Sequence, residues 1–475
     1  MNNSISRIVV IEIRLNTDSD LVTYLKESVS IYSLIYRKIW YEMIKSDFSN
    51  KYNSLTEFKQ HCRDIYDVCG RVINSIVNEI SGKKQAYIEL KKTELNTVKQ
   101  KIKELQYQIK KCIDYIENNK PTVTMNYATS HQLYLYRKSK RRLFKLQKKL
   151  NKCNFCKQNL EYIIDNQIYK ICFGSKKQFN KQFHLELNHY STHEKWYNDF
   201  VKHRDKNMYF LGAKNETKGN QLVQLTYNLN SDTFDLQLRK INKPFKGETN
   251  KYISYSGLTF RYRKAELIQI LTNQTLNVNT QPLTYRFIRR MNKWYLQVIF
   301  ESRFKETEYV TSKFNGVIGL DYNDGFIQLS ETDKSGNLIH LQKYDLKFHG
   351  CGNKAKTEIE QTLHTITKYA VKVGKDIVIE DLDFKKTKSK QSKAESKKGK
   401  DYNRMLHRFD YSRYKQKLKD VTFNQKVFLA FVSPRNTSKI GKQKYSNLRK
   451  LTVHQAASYV IARRYQGFKD NLKLA

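Results

Sequence analysis

The first half of the chain is dominated by a seven-residue spacing of apolar positions. Over residues 88–116 an apolar side chain recurs every seventh position, and a second series follows it at an offset of three. This spacing predicts a long helix with a coiled-coil seam. The proline-containing stretch 117–130 interrupts the pattern, which resumes over 136–150. We therefore expect a helical hairpin inside a predominantly helical domain, residues 20–195.

A second kind of pattern, with alternating apolar and polar positions, flanks this helical region. It occurs in residues 1–19 and again in residues 196–310, where β-branched and aromatic residues are enriched between Gly, Asn and Pro turns. Such segments are typical of antiparallel strands. We expect a small antiparallel barrel or sandwich, one β domain into which the helical region is inserted.

Residues 311–475 have a mixed pattern that predicts an α/β domain. Short apolar runs indicate strands, and longer amphipathic stretches indicate helices. The expected strands are 316–321, 325–331, 337–343, 376–380 and 427–433, and the expected helices are 354–373, 402–425 and 448–466. This is the element order of a ribonuclease-H-like fold, so the chain as a whole is expected to be a multidomain α+β protein.

Two acidic residues stand where apolar runs of this last domain end. Asp321 closes the run in IGLDYNDGF, and Glu380 closes the run in DIVIEDLDF. A carboxylate at such a place lies at the edge of a buried sheet, where it can bind Mg²⁺ or Mn²⁺ for phosphodiester hydrolysis. One such residue is more simply a solvent-facing strand end, but two in this element order favour a catalytic metal site.

The charge balance points to a nucleic-acid partner. The chain has 88 Lys and Arg residues against 45 Asp and Glu, a formal net charge of +43. An excess of this size is typical of proteins that bind a polyphosphate. No long apolar span or cleavable leader is evident, so we expect a cytoplasmic protein without membrane attachment.

Three basic segments are candidates for contacts with nucleic acid. The first lies on the predicted helical hairpin, and the alternative interpretation of it is a solvated coiled-coil surface. The second lies in the Lys-rich run 385–400, which has no residue able to form a core and is expected to be a mobile loop. The candidates are Arg137, Lys138, Lys140, Arg141 and Arg142 on the hairpin, Lys385 and Lys386 in the run, and Arg463 and Arg464 near the C-terminus.

The seven cysteines do not predict a metal site. Only Cys153 and Cys156 have the spacing of a ligand pair, and no second close pair accompanies them. A structural zinc site needs about four ligands. We expect reduced thiols and no zinc.

Three segments carry a resemblance to a known family. IGLDYNDGF, DIVIEDLDF and LTVHQAASYVIARR resemble the three RuvC-type motifs of the TnpB family, transposon-encoded RNA-guided DNA endonucleases related to type V CRISPR effectors. The resemblance implies that residues 1–19 and 196–310 form a β-barrel wedge domain, that residues 20–195 are an inserted helical recognition domain, and that residues 311–475 are a RuvC-like nuclease domain. It also implies a guide RNA from adjacent non-coding sequence and a double-stranded DNA target beside a short flanking motif. It assigns the first-motif aspartate to Asp321 and the second-motif glutamate to Glu380, as ligands of two metal ions.

The third motif departs from the family pattern. Where TnpB proteins typically have an aspartate, this chain has Val453 followed by His454. His454 is a candidate metal ligand or proton shuttle, and an ordinary packed histidine at a helix terminus is an equal alternative. The segment PRNTSKIGKQKY keeps Thr437 and Ser438 but lacks the cysteines of the family's zinc ribbon.

Both departures affect the region of the predicted active site and leave two alternative functions open. The first is a nuclease-impaired RNA-guided repressor that binds DNA without cutting it. The second is a transposase that joins DNA strands, although the carboxylate that ends the usual acidic triad of such enzymes has no evident position in this sequence.

Overall fold

The computed structural model describes residues 4–45, 48–120, 130–241, 251–323, 325–347, 352–382 and 411–470. The Lys-rich run, with Lys385 and Lys386, lies outside these ranges, and so does the start of the helix predicted at 402–425. Within them, no helix combines the length and the apolar composition needed to cross a membrane.

The described residues form a mixed α and β structure with three separate sheets. The strands are β1 Ser4–Arg14, β2 Asn207–Phe210, β3 Val223–Asn228, β4 Thr233–Arg239, β5 Tyr252–Leu258, β6 Thr284–Arg290, β7 Lys293–Lys305, β8 Val317–Asn323, β9 Phe326–Thr332, β10 Leu338–Asp345, β11 Asp376–Glu380 and β12 Leu429–Val432. The helices are α1 Asp20–Met43, α2 Phe48–Lys51, α3 Leu55–Tyr66, α4 Gly70–Asn118, α5 Ser130–Asp165, α6 Lys176–Asn180, α7 His193–Arg204, α8 Lys264–Thr275, α9 Asn353–Val373, α10 Tyr411–Asn424, α11 Thr437–Ile440, α12 Asn447–Arg449 and α13 Val453–Gln466. Short 3₁₀ turns and a π-helical segment at Gly441–Ser446 complete the pattern.

Internal contacts divide the chain into two compact units. One comprises Met1–Ile5, Lys99–Leu150 and Phe304–Ala475, and the other comprises Ser6–Val98 and Asn151–Arg303. We call them the first and second unit.

The N-terminal strands form open sheets and not the barrel that the sequence predicts. Strand order is β1-β7-β6-β2 in one sheet and β3-β4-β5 in another. Within the described ranges, β3, β4 and β5 pair only among themselves, so neither sheet closes on itself. The alternation that predicted strands is present, because the side chains of β7 alternate between buried and partly exposed along its length. Alternation determines which face is buried but not which strand a neighbour pairs with.

Long helices occur where the heptad pattern predicts them. Helix α4 ends at Asn118, and α5 begins at Ser130. In the first unit the two helices meet through Cys112 of the seam, whose thiol donates to the carbonyl of Ser139 at 3.3 Å. Ile102, Leu105 and Cys112 of the seam and Leu146 of α5 are buried, so part of the apolar spacing corresponds to a buried stripe.

The C-terminal sheet of the first unit has the strand order β10-β9-β8-β11-β12. Strands β8, β9 and β10 form an antiparallel meander, and β11 pairs in parallel with both β8 and β12. The predicted strands of this region all occur, with ends shifted by a few residues, and so does the helix predicted at 354–373. The described part of the helix predicted at 402–425 is α10, and the helix predicted at 448–466 is interrupted after α12, because Lys450 adopts a left-handed conformation before α13 begins. Consecutive residues of β8 and β11 face opposite sides, so α9 and α10 pack on one face of the sheet and α13 packs on the other.

Close packing of α13 on β8 depends on Gly319. A Cβ atom at this position would lie 2.2 Å from the carbonyl oxygen of Ser458 and 2.8 Å from the backbone nitrogen of Ala462. Only glycine permits this approach. The helix consequently lies directly against the strand that carries Asp321.

A candidate acidic site at the end of the central strands

The structure brings Asp321 and Glu380 side by side. Leu320 of β8 is in register with Ile379 of β11, so the next residue on each parallel strand is one of the two acids. Leu320 and Ile379, which immediately precede the two acids, have buried apolar side chains. We call Asp321 and Glu380 the acidic pair.

The environment of Glu380 disfavours its charge. Burial, and next the negative charge of Asp321, raises the pKa of the Glu380 carboxyl to about 7. A hydrogen bond donated by the Thr437 hydroxyl and the positive charge of Arg464 oppose this rise. A partly buried carboxylate beside a second one is stabilised by a proton or by a cation.

Asp321 is held by two neighbours. Its Oδ2 accepts a hydrogen bond from Asn323 Nδ2 at 2.9 Å and lies 3.2 Å from His454 Nδ1. This hydrogen bond raises the pKa of His454. The side chain of His454 is about half exposed, at 48%, and its ring lies nearly perpendicular to that of Phe326, with 5.1 Å between the ring centroids. The structure thus brings His454, the third candidate of the sequence, to the acidic pair.

The start of α13 fixes the position of His454. Thr452 caps the helix by accepting from the amide of Gln455, whose side chain in turn accepts from the amide of Thr452. Such a capping box satisfies otherwise unpaired amides and defines where the helix begins. His454 is the second helical residue and is therefore held in the turn next to Asp321.

Two tyrosines that sequence analysis did not identify line a pocket with the acidic pair. The Tyr411 hydroxyl donates to the backbone carbonyl of Glu380. Tyr414 is fully buried and stacks on Tyr322 at 4.2 Å with an interplanar angle of 6°. In the described part of the chain, its hydroxyl has no hydrogen-bond partner. The pocket lining is Leu320, Asp321, Tyr322, Ile379, Glu380, Leu382, Tyr411 and Tyr414.

The only sequence signal for these tyrosines was weak. They stand three residues apart in YSRY, a spacing that places both on one face of a helix. That spacing alone gave no reason to connect them with residues 321 and 380, because the contact depends on how α10 packs on the sheet.

The acidic pair fits a hard divalent cation in part. Carboxylate oxygens are suitable ligands for Mg²⁺, which keeps several waters and needs few protein ligands. The raised pKa of Glu380 also indicates a place where a cation would be stabilising. Within the described ranges, however, no three His, Cys, Asp or Glu side chains are arranged to hold a metal ion. Asp321 and Glu380 are the residues that would bind such a cation.

Arg463 and Arg464 make contacts inside the first unit. Arg463 Nε donates to Asp470 Oδ2 at 2.9 Å, and its guanidinium lies 4.2 Å from the centre of the Phe468 ring. Arg464 donates to the carbonyl of Ser433 and, at 3.0 Å, to that of Arg435. Both guanidinium groups are therefore engaged by the protein itself.

The basic residues of α5 are in a different situation. Arg137, Lys138, Lys140, Arg141 and Arg142, which we call the hairpin cluster, are all exposed. No acidic residue occurs between positions 130 and 160. Lys138 and Lys140 lie over the rings of Tyr134 and Tyr136. Helical neighbours three and four positions away thus provide no opposite charge.

Comparisons with known proteins add little to this geometry. No family model matches the chain, and no curated protein matches it. The crystal structure of the Cas12i1 R-loop complex after target DNA cleavage shares 10% identity at a TM-score of 0.23. The selenomethionine-derived complex before target DNA cleavage shares 10% at a TM-score of 0.21. Both alignments cover 86% of this chain but 49% of the other, so the chain spans about half the length of these proteins. Similarity at this level carries no argument about function.

Proposed function

We propose that this protein is an RNA-guided DNA endonuclease that cuts with a divalent cation bound by the acidic pair. The observation that carries the proposal is the adjacency of Asp321 and Glu380 just beyond the last residues paired between β8 and β11, where the pKa of Glu380 is raised to about 7. Strand order β10-β9-β8-β11-β12 with helices on both faces supports a ribonuclease-H-like nuclease domain.

The residues of the site have separable roles in this proposal. Bound Mg²⁺ or Mn²⁺ would supply activation of water and stabilisation of the leaving oxygen. Asp321 and Glu380 bind the cation, and Asn323 orients the Asp321 carboxylate through its 2.9 Å hydrogen bond. His454, at 3.2 Å from Asp321, is placed to hold or move a proton at its Nδ1. Tyr411 holds the backbone of Glu380.

Guidance by RNA is the less direct part of the proposal. It is supported by the resemblance of three motifs to the TnpB family and by the net charge of +43. In such systems base pairing chooses the target sequence, while the protein binds the backbones by charge and shape. The exposed hairpin cluster is a suitable surface for such contacts.

RNA that co-purifies with the protein tests the guided part of the proposal. The protein is expressed together with its flanking non-coding sequence, and bound RNA is sequenced. We expect one discrete species transcribed from that flanking sequence. Bulk ribosomal fragments, or a preparation without RNA that still joins DNA ends, would contradict guidance.

A second function, guided binding without cleavage, is favoured by one observation. Asp321, Glu380 and His454 lie near one another, but within the described residues no three His, Cys, Asp or Glu side chains are arranged so that together they could hold one metal ion. A loaded ribonucleoprotein that binds its matched plasmid in Mg²⁺ and leaves it intact would support this repressor. Cleavage of the same plasmid supports the endonuclease.

A further inference from the structure

The loop between β12 and α11 connects the hydrogen bonds of a partly exposed arginine to the acidic pair. Arg464, in the last turn of α13, donates through one guanidinium nitrogen to the Ser433 carbonyl and through another to the Arg435 carbonyl. Two residues beyond Arg435, the Thr437 hydroxyl donates to Glu380 Oε1. One arginine thus holds the loop whose end contacts Glu380.

The backbone of this loop needs such support. Asn436 has a φ of 60°, in the left-handed region, immediately before α11 begins at Thr437. Asparagine tolerates this conformation, but it is still less favourable than extended or helical backbone. The resulting reversal directs the Thr437 side chain inward, where the residue is 3% exposed. The conformation that delivers the hydroxyl to Glu380 is thus one that surrounding contacts have to maintain.

The guanidinium is chemically suited to this task. Its donors form a planar fork that can engage two acceptors at once, which the single ammonium group of lysine cannot do with the same geometry. Its interaction with carbonyl groups leaves the positive charge uncompensated, and that charge lowers the pKa of Glu380. Arg464 therefore acts on Glu380 in two ways, through the loop and through space.

We propose that Arg464 is a positioning residue for Glu380, which it orients for cation binding by holding residues 433–437. The hydroxyl of Thr437 fixes Glu380 Oε1, and the carboxylate is thereby kept in one orientation toward Asp321. Outer contacts of this kind typically change metal affinity by about 10- to 100-fold when removed. The inference rests on the proposed cation site. It differs from the role that the sequence suggested for Arg464, a contact to nucleic acid.

Charge and geometry predict opposite results for loss of Arg464, which makes the inference testable. Removal of a positive charge beside a cation site, by itself, strengthens cation binding. Loss of the loop contact, in contrast, disorders Thr437 and so weakens cation binding. We therefore expect Arg464→Gln to weaken Mn²⁺ binding about 10-fold, despite the lost charge. Arg464→Lys, which keeps the charge but loses the fork, should weaken it in the same direction.

The experiment measures Mn²⁺ affinity of the full chain without added substrate, by the paramagnetic resonance signal of free Mn²⁺. Thr437→Val should weaken binding as Arg464→Gln does. The double variant should be no worse than either single one, because both changes remove the same connection. Lys439→Gln is the matched control, since it removes an exposed positive charge two residues from Thr437. It should leave the affinity unchanged or slightly increase it.

Hydrogen exchange separates a failure of this inference from a failure of the proposed function. Arg464→Gln should accelerate exchange at the amides of residues 435–437 whether or not the protein cuts DNA. If wild-type protein binds no Mn²⁺, the proposed cation site is wrong, while the exchange result still tests the loop contact. Unchanged exchange, or Mn²⁺ affinity equal to or above wild type in Arg464→Gln, overturns the inference. A loss of nucleic-acid affinity alone would assign Arg464 to the phosphate backbone.

Discussion

At the residue scale, Glu380 should make the folded protein less stable as pH rises. Its pKa in the folded state is about 7, above the ordinary value of 4.5. The folded state therefore holds this proton more tightly than the unfolded state does. The contribution of Glu380 to stability is most favourable below pH 4.5 and is lost as pH rises through 7.

Replacement by glutamine tests this dependence. Glu380→Gln keeps an acceptor for Thr437 but cannot ionise, so it should raise the free energy of unfolding at pH 8 by on the order of 1 to 3 kcal/mol. At pH 4 the two proteins should be nearly equal. The measurement is urea unfolding without divalent cations, with the exposed acid Asp345→Asn as control. An equal effect at both pH values would contradict the assigned burial.

The two pocket tyrosines provide a matched pair of hydroxyl deletions. Tyr411→Phe removes the donor to the Glu380 carbonyl and should cost about 1 kcal/mol of unfolding free energy. Tyr414→Phe removes a buried hydroxyl that has no partner in the described residues, and should leave stability unchanged or raise it by about 1 kcal/mol. Chemical denaturation measures both. A loss of more than 1 kcal/mol for Tyr414→Phe would mean that an ordered water satisfies that hydroxyl.

At the element scale, the contact between β8 and α13 determines whether His454 meets Asp321. A methyl group at position 319 would collide with backbone atoms of Ser458 and Ala462. Gly319→Ala should therefore push the helix away and destabilise the protein by on the order of 1 to 3 kcal/mol, as overpacking does. Gly352→Ala is the control, because no atom lies within 4 Å of its added Cβ. Equal thermal unfolding of the two variants would contradict this packing.

This contact also illustrates which features of the site can be predicted from the sequence and which cannot. Asp321 and Glu380 could be placed from sequence because each ends a short apolar run, and strand ends follow from local pattern. The neighbours of His454 could not be predicted, because its contact with Asp321 spans 133 positions of chain and depends on the close packing that Gly319 allows. The link from Arg464 through Thr437 to Glu380 could not be predicted either, because it runs through a loop whose sequence has no periodic pattern.

The N-terminal strands illustrate the same limit. Their alternation correctly indicated which segments are extended, as in β4 and β7. Pairing is a long-range property that alternation does not encode, and two open sheets are found in the described residues where one barrel was expected. The C-terminal sheet was easier to predict because its elements follow a characteristic order, a three-strand meander and then alternating helices and strands.

At the scale of the whole molecule, the charge excess predicts binding that depends strongly on salt. Each phosphate contact contributes about 0.9 to the slope of log affinity against log salt concentration on duplex DNA. Changing the five residues of the hairpin cluster to Gln should weaken binding to all sequences alike and reduce this slope by up to about 4.5. Fluorescence anisotropy at several salt concentrations measures it. An unchanged slope would favour the solvated-surface alternative.

Cleavage of a matched plasmid by the purified ribonucleoprotein in Mg²⁺ is the most direct test of the central claim, that Asp321 and Glu380 together bind the cation for phosphodiester hydrolysis. Wild type and the surface control Asp345→Ala should cut, whereas Asp321→Ala and Glu380→Ala should lose at least about 100-fold in rate and still bind the target. Cutting that persists in either acidic-pair variant would contradict the account.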